Sequence, residues 1–154
     1  MAKFTFASSE KEGFDNHIDK SIRGYSNLLD DTVSFSRYFV EDNTKVVDVG
    51  CSTGKLTKMI MGNNPNRQDA QYVGVELAGS FFGNLDKREK EIKKEYPWAS
   101  LEWVKGDVTN YEFNNCSLVT SLFTLQFMPK PTRQDTINNI YEGLNEGGAF
   151  IFAE

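Results

Sequence analysis

Apolar positions recur first at helical spacing and then in short runs set between helical stretches. Phe14, Ile18, Ile22 and Tyr25 lie four, four and three residues apart, which predicts a helix presenting them on one face. Gly24 interrupts that stretch, and a second helix is predicted from about Asn27 to Phe39. Residues 1–40 therefore read as a helical lead-in. After the turn cluster Glu41-Asp42-Asn43 the pattern changes. Val46 to Val49 is a β-branched run ending at Gly50, as a buried strand would be. A helix over 54–61 follows, with Leu56, Met59 and Ile60 apolar, then a loop at Asn63-Asn64-Pro65-Asn66. Tyr72 to Glu76 is a second strand, and a charged helix over 79–96 turns Phe81, Phe82, Leu85 and Ile92 inward. Leu101 to Val104 and Ser117 to Leu122 are the third and fourth strands. A helix over 132–144, marked by Ile137, Ile140, Tyr141 and Leu144, closes at Asn145-Glu146-Gly147-Gly148, and Ala149 to Ala153 is a fifth strand. Strands alternating with helices predict an α/β fold, a mostly parallel sheet wound on both faces that binds ligands at the strands' carboxyl ends.

Composition narrows the class. Apolar residues make up 39% of 154, enough for a sizeable core in one domain spanning 1–154, with 45–154 as the α/β part. Intrinsic disorder is excluded on the same ground. No apolar run approaches the roughly 20 residues that span a bilayer, and the N-terminus lacks a secretory signal pattern. Two cysteines and one histidine are too few for a disulfide framework or a zinc site. The net charge of −5 does not support nucleic-acid binding. A cytoplasmic protein without membrane association or bound metal is the expectation.

The candidate chemistry sits in Asp48-Val49-Gly50-Cys51-Ser52-Thr53-Gly54-Lys55, which opens a helix directly after the first strand. A phosphate-gripping NTPase loop requires G-x-x-x-x-G-K-[ST]; here three residues separate the glycines and Leu56 follows the lysine. A dinucleotide loop requires G-x-G-x-x-G, and Ser52 and Lys55 occupy its later glycine positions. The fitting pattern is D-x-G-x-G-x-G of class I methyltransferases, with Ser52 at the middle glycine. Asp48 at the strand end is expected to anchor the loop and to address an ammonium group. Glu76 ends the second strand, where an acid takes the two hydroxyls of a ribose. Asp107, after Gly106, is placed to accept from an adenine amino group, with Val108 beside the ring. Strand-end acids can instead merely cap helices. That explains one such acid better than three beside a glycine loop, so S-adenosyl-L-methionine is the expected cofactor.

Several longer stretches add to this. Phe4-Thr5-Phe6, residues 14–28 ending Ser-Ile-Arg-Gly-Tyr-Ser-Asn-Leu, Asp48 to Ser52, Lys105-Gly106-Asp107, Phe123-Thr124-Leu125-Gln126-Phe127, and Ile140 to Asn145 with Gly147-Gly148-Ala149 together resemble carboxy-S-adenosyl-L-methionine synthases. The resemblance covers nearly the whole chain and implies a Rossmann-like class I methyltransferase fold. It also implies a dimer that converts S-adenosylmethionine with prephenate, for the modification of a tRNA wobble uridine. It places cofactor contacts on Tyr25, on Gly50, Cys51 and Ser52, on Glu76 with Leu77, and on Asp107 with Val108; Gly54 belongs to the same loop. The family has Asp-Asn where this chain has Glu76-Leu77, Asn at Leu122 and proline at Arg23. Its arginine for the added carboxylate falls beyond Glu154. Such a fold continues past the fifth strand with a helix and two more strands, so the expectation is a fragment lacking them, or a partner chain over an apolar edge. Ordinary methyl transfer to a small molecule or nucleic acid is the competing activity, and a non-catalytic cofactor-binding scaffold is the competing class.

Weaker signals read as structural. Lys87, Arg88, Lys90, Lys93 and Lys94 interleave with Asp86, Glu89, Glu91 and Glu95, as on a solvated, self-paired helix face. His17 reads as a packing or surface residue, Cys51 as a small loop residue, and Phe81 and Phe82 as core. Trp98 and Trp103 receive no functional reading.

Overall fold

The computed structural model describes residues 13–154; Phe4-Thr5-Phe6 lies outside them. Five parallel strands form one sheet in the order β3-β2-β1-β4-β5. They are β1 (Lys45–Val49), β2 (Gln71–Glu76), β3 (Ser100–Lys105), β4 (Cys116–Leu122) and β5 (Leu144–Ala153). The helices are α1 (Phe14–Ser21), α2 (Tyr25–Ser36), α3 (Lys55–Asn63), α4 (Phe82–Glu95) and α5 (Lys130–Gly143). The α/β expectation is thus met strand for strand.

Two apolar layers hold the sheet. Leu29, Leu56, Ile60, Met61 and Ile92 of α2, α3 and α4 pack on Val46, Tyr72 and Leu118. On the other face, Val47, Val49, Val75 and Val119 pack with Val108, Phe113 and Ile140 of α5. The split follows from strand alternation, since successive β1 side chains point to opposite faces.

Four local expectations are corrected. The lead-in breaks one turn earlier than its apolar spacing suggests. Gly24 takes a left-handed conformation (φ 76°) and starts α2 at Tyr25, so Ile22 and Tyr25 do not continue the face of Phe14 and Ile18. Residues 79–81 form a separate 3-10 turn before α4, which begins at Phe82. In α5 the buried stripe is Thr136, Ile140 and Gly143, whereas Tyr141 is 79% exposed, because one residue past Ile140 is a rotation of ~100° around the helix. The turn residues Asn145 to Gly148 are not a loop before β5 but a bulge within it. Cys116 pairs with Leu144 and Leu118 with Ala149, so four residues bow out opposite one. As the sheet edge, β5 is only half-buried, and Phe152 is 56% exposed.

Candidate functional site

The strand order reverses between β1 and β4, the switch point at which such sheets take ligands in the crevice beyond the strands' carboxyl ends. Its floor is the loop from Gly50 to Gly54. Gly50, Ser52 and Gly54 take φ of 73°, 52° and 74°, so the loop turns through alternating left-handed residues, one of them a serine. A non-glycine residue held in that region stores strain of about 1–3 kcal/mol, a cost met mostly at functional sites. A Cβ at Gly50 would collide with the Thr124 side chain, and one at Gly54 would lie 2.7 Å from the Trp103 ring. Glycine at both positions is required by close approach as well as by φ.

The loop's amides are mostly spent on the protein itself. Gly50 and Cys51 donate to the Val75 carbonyl at 2.8 and 3.1 Å, and Gly54 donates to the Cys51 carbonyl. Ser52 donates to Oε1 of Glu76 at 2.8 Å. A phosphate cradle aims its N–H groups outward; this loop aims four of them inward.

Glu76 is buried at the end of β2, and its other oxygen accepts from the Ala78 amide at 2.9 Å. Each carboxylate oxygen has two acceptor sites, so both retain one for hydroxyl donors of a ligand. It is Glu76, rather than Asp48, that fastens the loop. Asp48 is buried and accepts from the Thr120 hydroxyl of β4 at 2.8 Å, tying the two strands that flank the crevice. Burial pushes its pKa up to about 7, against the Thr120 hydrogen bond, and the negative charge of Glu76 adds to the rise. Tyr25 at the start of α2 stands in the same field: burial first, then Asp48, Asp15 and Asp19, push its hydroxyl up to about 12. Its ring lies 6.0 Å from that of Phe123.

Asp107 caps the 3-10 turn Val108–Asn110 through the Thr109 amide at 2.9 Å; it is exposed at the end of β3, while Val108 is buried. Leu77 is 66% exposed. Cys51 is buried, which pushes its thiol pKa up and keeps it in the unreactive form. Tyr25, the loop, Asp48 and Glu76 are thus gathered at one place, with Asp107 and Val108 at the end of β3 two strands away. The Phe123–Phe127 segment closes the opposite wall. Phe123 is left-handed (φ 57°), and the Thr124 hydroxyl donates to the Val49 carbonyl at 3.2 Å.

Some contributors carried little sequence signal. Thr120 lies in β4, and only the fold brings it against Asp48 of β1. Arg88 reads in sequence as one more charge of a solvated helix, yet its Nε donates to the Thr53 carbonyl at 3.0 Å. Trp103 packs over Gly54 and Gly74, beneath the loop.

Acids dominate this crevice, with Asp48 and Glu76 inside and Asp107 at the strand end. Such a site accepts hydroxyl and amine donors and favours a cationic ligand. Among the described residues, no helix is long and apolar enough to cross a membrane.

Comparison with known proteins places the chain in a family and a fold. The chain is 34% identical over 153 residues to carboxy-S-adenosyl-L-methionine synthase of Staphylococcus epidermidis, covering 99% of this chain and 63% of that one. It is 30% identical to the Klebsiella pneumoniae protein of the same name, over 100% of this chain and 61% of the other. The chain therefore spans about three fifths of the length of these relatives. Among solved structures, the glycopeptide N-methyltransferase MtfA complexed with S-adenosyl-L-methionine superposes with a TM-score of 0.62 at 18% identity, over 80% of this chain and 48% of that one. A protein described as a putative rRNA-methylase from Clostridium thermocellum matches with a TM-score of 0.62 at 18% identity, over 79% of this chain and 65% of that one. These two share the fold. A family model described as a methyltransferase domain matches residues 46–148. That stretch runs from β1 into the bulge of β5 and encloses the loop, both later strand-end acids and the crevice between them, and the chain belongs to the methyltransferase-domain family.

Proposed function

We propose that this chain binds S-adenosyl-L-methionine in the β1–β4 crevice and forms part of an enzyme that converts it, as carboxy-S-adenosyl-L-methionine synthases do. The observation that carries the reading is Glu76, a buried carboxylate that positions the glycine loop while keeping an acceptor site on each oxygen. Those sites suit the two ribose hydroxyls. Asp107 suits the adenine amino group with Val108 beside the ring, and Asp48 with Tyr25 suits the ammonium end of the methionine. The inward-turned amides fit a ligand that has no phosphate, and the acidic surroundings fit one that carries positive charge.

S-adenosylmethionine supplies a sulfonium-activated carbon when bound. The chain's own task is to bind, orient and exclude water, which holds donor and acceptor in line. Prephenate is the proposed co-substrate, as the sequence resemblance to the synthases implies. A cytoplasmic role in tRNA modification and a homo-oligomeric assembly belong to the same proposal, on the same resemblance. Methyl transfer is the second reading. It is favoured by Leu122 at the end of β4, an apolar residue where the synthases carry asparagine beside the cofactor.

Calorimetry with S-adenosylmethionine and S-adenosylhomocysteine tests the binding. Millimolar or better affinity is expected, and its absence from the folded chain would refute the site. Mass spectrometry of the full-length protein incubated with S-adenosylmethionine and prephenate tests the reaction. A carboxymethyl-sulfonium product supports synthesis, whereas turnover to S-adenosylhomocysteine with an acceptor supports methyl transfer.

A further inference from the structure

The loop is gripped from outside as well as from Glu76. No residue of α1 is buried, yet the helix is fastened to the loop itself. Thr53 donates its hydroxyl to Oδ1 of Asp15 at 2.7 Å. Its carbonyl accepts from Nε of Arg88 at 3.0 Å. Arg88 Nη2 closes the triangle on Oδ2 of Asp15 at 3.2 Å, and Nη1 holds Glu91 at 3.0 Å. The Arg88 stem stands where a Cβ on Gly54 would come within 3.1 Å of it. Glu91 also faces Lys58 of α3 at 3.6 Å. One guanidinium therefore links α1, the loop and α4, using a planar fork of donors that lysine lacks.

Thr53 is buried and stands between two left-handed residues, Ser52 and Gly54, and Ser52 is the residue whose amide meets Glu76. A displacement of Thr53 is passed directly to that contact. The Thr53–Asp15 hydrogen bond puts α1 beside the loop, and Tyr25 feels the charge of Asp48 and of Asp15 and Asp19 on α1. We propose that Arg88 is a positioning residue, which couples α1 to the glycine loop through Asp15 and Thr53, so that the helix and the loop open and close the crevice as one unit. Its bearing on ligand exchange rests on the adenosyl-site reading; the coupling itself does not.

Hydrogen exchange followed by mass spectrometry on the whole chain, without ligand, tests the coupling. Arg88→Lys and Asp15→Asn are each expected to speed exchange in residues 14–21 and in residues 50–54 together, by about tenfold. The double variant should be no faster than either single one, since both remove the same link. Raising salt from low to high should speed both segments in the wild type and not in Asp15→Asn, which lacks the charge pair, because the ion pair is partly exposed. Faster exchange in residues 14–21 alone, additive effects, or wild-type behaviour of Arg88→Lys would overturn the proposal. Exchange of β1 amides serves as the control: an equal rise there would mean general destabilisation and would also overturn it. In stopped-flow mixing with S-adenosylhomocysteine, read through fluorescence of Trp103 under the loop, both variants should release the ligand about tenfold faster. Coupled exchange in a wild type that binds no S-adenosylhomocysteine would uphold Arg88 and refute the cofactor.

Discussion

Asp48 and Glu76 show how two carboxylates near one crevice divide the work. Glu76 is held by two backbone amides, and truncating it removes both the loop fastening and the hydroxyl acceptors. Glu76→Ala is expected to weaken S-adenosylmethionine binding by about 1–3 kcal/mol, the cost of stranding buried hydroxyl groups, as calorimetry would show. Asp48 differs because one hydroxyl does not offset its burial, and its pKa rises from the ordinary 3.8 to about 7. Between those values the folded chain holds a proton that the unfolded chain releases. Stability should therefore fall as pH rises through that window and level off above it. Asp48→Asn should remove that slope in urea titrations run at several pH values. A cationic ligand favours the ionised carboxylate, with Glu76 and Tyr25 as its neighbours. Affinity for S-adenosylmethionine should thus climb as pH approaches 7, with proton release in calorimetry, and Asp48→Asn should flatten it.

Among the elements, α5 gives the sharpest contrast between adjacent side chains. Ile140 is fully buried against the β1–β4 face, and Tyr141 next to it is 79% exposed. Ile140→Ala should cost about 2–5 kcal/mol, the usual sum of lost transfer energy and cavity formation. Tyr141→Ala should stay within about 0.5 kcal/mol. Urea unfolding midpoints at constant slope would separate the two. On α4 the self-paired surface expected from the alternating charges is present, with Lys93 to Glu89 at 2.8 Å and Arg88 to Glu91 at 3.0 Å. Spacing along a helix predicts such pairs. It does not predict that Arg88 also reaches across to Asp15 and Thr53, which lie 73 and 35 residues earlier in the chain.

At the scale of the whole molecule, the sheet ends on β5. Phe150 and Phe152 stack at 5.2 Å along that edge strand, and among the described residues its outer backbone faces no further strand of the sheet. Covering such side chains is worth about 1.5–3 kcal/mol each before rigid-body entropy is subtracted. Residues 1–154 alone are therefore expected to self-associate, and Phe152→Lys to reduce it, since a charge on an edge strand opposes pairing. Light scattering across a concentration series checks this. A monodisperse 17.5 kDa species at high concentration would contradict it.

By itself the sequence determined the strand and helix succession, the glycine loop and the three strand-end acids, because each is written in local spacing. Apolar periodicity reports which face is buried, and a glycine followed by a helix start reports a tight turn. What only the tertiary structure decided are relations between segments far apart in the chain. Thr120 meets Asp48 across the β1–β4 reversal, Thr124 fills the space Gly50 leaves, and Arg88 and Asp15 converge on Thr53. The placing of Asn145 to Gly148 within a strand was decided in the same way. Their turn chemistry is local, but pairing of Leu144 with Cys116 and of Ala149 with Leu118 on either side makes them a bulge. Local propensity sets what a segment can be, and the partner strand sets which of those forms it takes.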